Sequence, residues 1–347
     1  MTTTEWAWIR RYAEQLTACA LGAGDTVVVL SETRSRPSVV DTARLAAQSL
    51  DARVIDVVLP TPTNPGPLPI RSTGASQALD HHPAAIAACA TADLVVDCTV
   101  EGLLHAPELG QILAGGARVL MISNEHPEHV ERWPLDPGLA DRVARGLARA
   151  EAATTMRVTS PHGTDLTVDL TGAFRAGSHG WTTEPGTIAH WPGGLVLAFP
   201  AAGTVNGRVV LAPGDVNLAF KEYVREPVTL DLVDDHVVAI DGPGHDAALL
   251  RDYLHAFGEP EALAVSHVGW GMNPGARREA MVAWDKADHN GTELRAVAGN
   301  FLWSTGANEV ADRFCRGHVD LPMFGCTVTL DGVAVVTDGV LAADLAG

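Results

Sequence analysis

No apolar run in this 347-residue chain approaches the ~18 residues that a membrane-crossing helix needs, which argues against a helical membrane protein although 46% of the residues are hydrophobic. The opening Met1 to Arg11 has no basic stretch followed by an apolar one, so no secretory leader is read there and the expected location is the cytoplasm. Cysteine is sparse: Cys19, Cys89, Cys98, Cys315 and Cys326 are an odd number without a C-x-x-C pair, which suggests reduced thiols, not a disulfide framework or a zinc ribbon. Positive charge is also short. With 24 basic against 42 acidic residues the formal net charge is −18, a balance that favours solubility and repels nucleic acid.

What is present reads as two regions. The first ~150 residues alternate short β-branched runs with Ala/Leu-rich helical stretches, the pattern of parallel β-α units. Strands are expected at Thr26 to Leu30, Arg53 to Leu59, Asp93 to Cys98 and Arg118 to Ser123. Helices are expected at Ser38 to Leu50, with the serine as cap, and at Pro83 to Ala90, Pro107 to Leu113 and Asp136 to Ala152. The fold class is therefore an α/β N-terminal domain with an open, mostly parallel, doubly wound sheet. Residues 60–69 carry too many prolines for a helix or a central strand and read as a long loop. Beyond a boundary near residue 153, Gly-rich turns and alternating runs such as Leu166 to Leu170 and Val228 to Val233 suggest an α+β C-terminal domain. Residues 1–152 and 153–347 are taken as the two domains. A hairpin is expected around Asp331-Gly332, a dipeptide suited to a tight two-residue turn.

The chemistry-bearing residues cluster near that hairpin. His318 and Asp320 are two apart, so in an extended backbone both point to one side and suit a single metal ion. Taken alone, H-x-D reads better as a surface pair or a satisfied core histidine, and its neighbours change that reading. His267 ends a short apolar run that enters a Gly-rich bend, as suits a ligand facing a cavity. His105 follows a parallel strand at its carboxyl end, where open α/β sheets bind ligands. Phe301, Trp303, Ser304 and Thr305 combine aromatic and small polar groups, as a pocket for a flat polar ring would, though core packing accounts for the aromatics as well. Glu184, His190 and His179 occupy a Gly-rich stretch that reads either as a substrate-facing loop or as a solvated one.

The blocks Ser266-His-Val-Gly-Trp-Gly-Met-Asn-Pro, Gly299-Asn-Phe-Leu-Trp-Ser-Thr-Gly and Gly317-His-Val-Asp-Leu-Pro-Met, with the weaker Glu101-Gly-Leu-Leu-His105 segment, resemble the 2,5-dihydroxypyridine 5,6-dioxygenase family of bacterial nicotinate degradation. That family shares a superfamily with aminopeptidase T-type metallo-aminopeptidases. The resemblance implies Fe(II) bound by His267, His318 and Asp320, with His105 as the candidate catalytic base and Phe301, Trp303, Ser304, Thr305, Glu184 and His190 around the substrate. It further implies a small N-heterocyclic substrate, dioxygen, N-formylmaleamate as product, and a homo-oligomer. Where the peptidases supply a glutamate ligand from P-G-G-E, this chain reads Trp191-Pro-Gly-Gly-Leu195. Two histidines and one carboxylate form the ligand set of iron(II) oxygenases, which leaves positions open for substrate and dioxygen. The competing expectations are a peptidase-class hydrolase with a rebuilt metal site and a biosynthetic iron enzyme acting on another ring.

Overall fold

Val27 to Leu30 and Leu94 to Val96 are fully buried on both sides, as strands sandwiched between helices must be. The structure, a computed structural model, describes residues 4–63, 74–122, 125–133 and 135–347. The four expected strands form as β1 (Thr26–Glu32), β2 (Arg53–Leu59), β3 (Leu94–Asp97) and β4 (Arg118–Met121), all parallel. Residues 64–69 of the proline-rich loop, and Ser123 at the end of the fourth expected strand, lie outside the described residues.

Alternate residues of each strand feed two separate cores. Val27, Val29 and Val96 pack with Tyr12, Leu16 and Ala43 of helices Trp6–Ala18 and Pro37–Ser49. Val28, Leu30 and Val95 pack on the other face with Cys89 and Ile112 of helices Pro83–Ala90 and Leu109–Ala114. The sheet is thus covered on both faces. Ser38 does not cap its helix: Pro37 takes the first helical position, and Ser38 sits inside with its carbonyl accepting from Thr42.

A fifth parallel strand joins β4 from far along the chain, at Ile188–His190. The order is β2, β1, β3, β4, then 188–190, so residues beyond 153 complete the first sheet. The chain leaves β1 towards β2 and leaves β3 in the opposite direction towards β4, which opens a crevice at the carboxyl ends of β1 and β3. Buried Glu32 and Asp97 organise that crevice. Glu32 accepts from Ser76 Oγ and the Val100 N–H. Asp97 accepts from the Thr99 N–H and hydroxyl and from the Leu103 N–H at 2.8 Å. Those bonds fold residues 98–105 into a tight loop ending on His105, whose own N–H donates to the Gly74 carbonyl.

The remainder is antiparallel. An eight-stranded sheet runs from His236–Asp241 through Val205–Leu211 and Thr155–Thr159 to the C-terminal strands. The hairpin at 327–337 turns on Asp331 and Gly332, both with positive φ, as a two-residue turn requires. A second sheet of five strands has the order 313–323, 301–308, 265–271, 195–199, 174–178. Between these two sheets lies the largest core, which takes in Trp270, Phe301, Trp303, Leu321 and Met323. Among the described residues no helix is long and apolar enough to cross a membrane, and all five cysteines are free.

Burial pushes the Asp97 carboxyl up to about 6 against the lowering effect of its hydrogen bonds to Thr99 and Leu103. A folded-state value above the unfolded one means that this group's contribution to stability is present below pH ~4 and is lost as pH rises through about 6. Urea unfolding at pH 5 and pH 7 checks this: Asp97→Asn should lose that part of the wild-type decline. A variant that keeps the full decline would show that Asp97 is not its source.

Candidate functional site

The second antiparallel sheet turns its other face towards the crevice. Alternation along strand 313–323 aims both His318 and Asp320 out of the core. Gly306 pairs with His318 and Ser304 with Asp320 on the neighbouring strand, and a register irregularity between Val265 and Val268 brings His267 alongside them. Gly306 has φ +113°, and a Cβ there would lie 2.1 Å from the Gly317 carbonyl oxygen; only glycine allows this pairing.

Four side chains meet. His105, His267 and His318 each present a ring nitrogen, all within 4.8 Å of one another. Asp320 Oδ1 lies 3.5 Å from His267 Nε2 and 3.3 Å from His318 Nε2. Two ligands each ~2.1 Å from one ion stand about 3 to 3.5 Å apart, so this oxygen has the spacing of a shared coordination sphere to each of the two imidazoles. All four groups are at most 5% exposed.

The carboxylate is divided between two tasks. Its Oδ2 receives Arg295 Nε at 2.5 Å, while Oδ1 accepts from Ser304 Oγ and faces the histidines. Ser304 Oγ also lies 3.0 Å from His267 Nδ1. Burial acts to raise the Asp320 pKa, but Arg295 with His318 and His267 holds it well below the usual carboxylate range. Burial pushes His267 well below its ordinary value, against the pull of Asp320. His318 is lowered for the same reason. An ionised carboxylate beside neutral imidazoles is the protonation state in which all three groups can donate to a cation.

His105 comes from the α/β side. Its Nδ1 lies 3.2 Å from Oε1 of Glu309, just past strand 301–308, and its Nε2 has no partner among the described residues. The carboxylate selects the tautomer with the proton on Nδ1, which leaves the Nε2 lone pair available. The His105 ring centre is 4.9 Å from that of His318.

These groups line a narrow cavity between the parallel sheet and the five-stranded antiparallel sheet. Leu195, Leu197, Leu302 and Met121 form apolar walls; His190, Asn290, Thr292, Arg295, Glu101 and Gly74 complete the lining. Phe199 packs against His267 with the rings tilted by 60° and their centres 5.4 Å apart. His190, at the end of the fifth parallel strand, is pushed down to about 4, chiefly by burial and also by Arg295.

The structure therefore brings together His105, His267, His318, Asp320 and His190, with Ser304 between two of them. It does not bring Phe301 and Trp303, which point into the core between the antiparallel sheets; Thr305 shares their face by alternation. The aromatic–polar composition of that strand mixes two faces, and the cavity receives Leu302 and Ser304 instead. Glu184 is exposed in the 183–186 loop and is absent from the lining, as is His179, which stacks on Trp181. Leu195, at the end of the Trp191-Pro-Gly-Gly-Leu segment, is a cavity wall. The block Trp284 to Gly291, whose aromatic and small polar groups also suit a pocket for a flat ring, contributes Asn290 to the lining; sequence reasoning missed Arg295, Glu309, Thr292 and Phe199, because each gains its place through contacts distant in sequence.

A family model described as 2,5-dihydroxypyridine 5,6-dioxygenase matches residues 7–343. The curated 2,5-dihydroxypyridine 5,6-dioxygenase of Pseudomonas putida KT2440 is 37% identical over 318 residues, 90% of each chain. The solved structure of 2,5-dihydroxypyridine dioxygenase from the same organism superposes with a TM-score of 0.91 at 34% identity, covering 98% of both chains. Wild-type AmpT from Thermus thermophilus shares the fold alone, with a TM-score of 0.59 at 14% identity over 97% of this chain and 99% of its own. A match across nearly the whole length, in sequence and in backbone, makes this chain a member of the 2,5-dihydroxypyridine 5,6-dioxygenase family.

Proposed function

We propose that this chain is a cytoplasmic, mononuclear Fe(II) enzyme that opens 2,5-dihydroxypyridine between C5 and C6, adding both atoms of dioxygen to give N-formylmaleamate. The observation that carries the reading is the convergence of His267, His318 and Asp320 on one buried cavity. The donor set fits the ion: two neutral imidazoles and one carboxylate favour Fe(II) and leave room for exogenous ligands. When bound, such an ion supplies Lewis acidity and a route for electrons from an electron-rich ring to dioxygen.

The chain's own residues do the rest. His105 Nε2 takes the proton from the ring hydroxyl and later returns it, with Glu309 holding the imidazole in the tautomer that allows this. Arg295 keeps Asp320 ionised and turns one oxygen away, so that only Oδ1 faces the histidines. Ser304 ties His267 to Asp320. Leu195, Leu197 and Leu302 pack the ring and exclude water, with His190 at the polar side of the wall. A dinuclear hydrolase needs bridging carboxylates. Among the described residues the acids lining this cavity are Glu101 and Asp320.

Anaerobic reconstitution with Fe(II), followed by oxygen uptake on 2,5-dihydroxypyridine, tests the reading: stoichiometric uptake is expected. Zinc-only activity, or release of chromophore from aminoacyl substrates, would replace it with the hydrolase. His318→Ala and Asp320→Ala should each lose bound iron, measured by metal analysis after gel filtration; full stoichiometry in both would show the ligands to be misassigned. His105→Ala should keep its iron yet slow turnover by about 10²- to 10⁴-fold. Unchanged turnover in that variant would remove His105 from proton transfer.

A further inference from the structure

Asn290 is 4% exposed and lines the cavity, yet its Oδ1 has no hydrogen-bond partner among the described residues. A buried amide oxygen left without a donor is costly and uncommon. Its position is not accidental slack. The Glu125 carboxylate, 2% exposed, accepts from the backbone N–H groups of Asn290, Gly291 and Thr292 at 2.9, 3.1 and 3.1 Å. The His126 N–H donates to the Asp288 carbonyl, and Arg36 pairs with Asp288, so the segment is fastened on both sides of Asn290. The backbone here is held by these bonds while the buried amide oxygen beside the cavity is unsatisfied.

The proposed substrate carries the matching donor. In its lactam form, 5-hydroxy-2-pyridone, the ring N–H and the C2 carbonyl are adjacent and form one amide edge. That edge complements a primary amide as two amides complement each other, with one donor and one acceptor on each side. The 5-oxygen lies across the ring from the C2 carbonyl. A ring whose 5-oxygen faces His267, His318 and Asp320 therefore turns its lactam edge away from them.

We propose that Asn290 is the specificity-determining residue that reads this edge: Oδ1 accepts from the ring N–H and Nδ2 donates to the C2 carbonyl. The assignment rests on the function proposed above and deepens it. It explains how the site distinguishes a pyridone from a carbocyclic diphenol of the same size. Hydroquinone places a C–H where the pyridone has N–H, so its binding leaves Asn290 Oδ1 buried and unpaired, and loss of such a bond discriminates more strongly than any change in apolar fit.

The test is anaerobic calorimetry of 5-hydroxy-2-pyridone and of hydroquinone with iron-loaded wild type, Asn290→Ala and Asn290→Asp, with iron content and thermal melting recorded for each. Wild type should favour the pyridone by roughly 10- to 100-fold, and Asn290→Ala should bring the two rings to within about threefold, mainly by weakening the pyridone. Asn290→Asp, which keeps the acceptor and loses the donor, should fall between. An unchanged preference in folded Asn290→Ala overturns the proposal. Should that variant fail to fold, wild type decides alone: equal affinity for the two rings, or for 1-methyl-5-hydroxy-2-pyridone and its N–H parent, overturns it. Oxygen uptake by wild type separates the two readings, since an active enzyme without ring preference refutes the role of Asn290 only, while absence of uptake refutes the function.

Discussion

The arrangement turns on how the Asp320 carboxylate is shared. It is buried with two imidazoles on one oxygen and a guanidinium on the other. Removing an ionised carboxylate from water is expensive unless opposite charge and hydrogen bonds compensate. Arg295 supplies that compensation without competing for the oxygen that faces the histidines. The pair also sets the local charge. Asp320 and Arg295 cancel, so a divalent cation among His267, His318 and Asp320 keeps its full excess positive charge, suited to a deprotonated ring hydroxyl. The same guanidinium helps to keep His190 and His267 neutral.

Around that pair the fold divides labour. The five-stranded antiparallel sheet buries one face in the large core and offers the other to the cavity, so strand pairing rather than loop conformation holds His267, Ser304, His318 and Asp320. Side chains on paired strands lose little further freedom when a ligand arrives. The parallel sheet delivers His105 and His190 from its carboxyl ends. Glu309 and Glu125 then bind the two regions across the cavity, one through an imidazole and the other through three backbone N–H groups. Residues from both regions are needed to complete the lining.

Much of this was legible in the sequence because the signals were local. β-Branched runs alternating with helical stretches marked β1 to β4, and Asp331-Gly332 marked the hairpin. The two-residue spacing of His318 and Asp320 marked a same-side pair before any contact was known. What was not legible depended on juxtaposition. The strand Ile188–His190 is three residues long among glycines and prolines and exists only because the edge of β4 is there to receive it. Phe301, Trp303 and Thr305 were read as pocket residues from composition, but which face of a strand meets the cavity is set by its pairing with both neighbours, and that gave Leu302 and Ser304 the position. Arg295 and Glu309 carry no motif of their own; each acquires meaning from a partner 25 or 204 positions away.

The central claim is that one ion is held by His267, His318 and Asp320 with His105 left free. The three imidazoles are themselves close enough to compete for it. A crystal structure of the iron-loaded protein with an anomalous map at the iron edge tests this directly. The account predicts one peak bonded to Nε2 of His267, Nε2 of His318 and Oδ1 of Asp320, with His105 beyond bonding distance. A peak bonded to His105, His267 and His318, with Asp320 held only by Arg295, would contradict it.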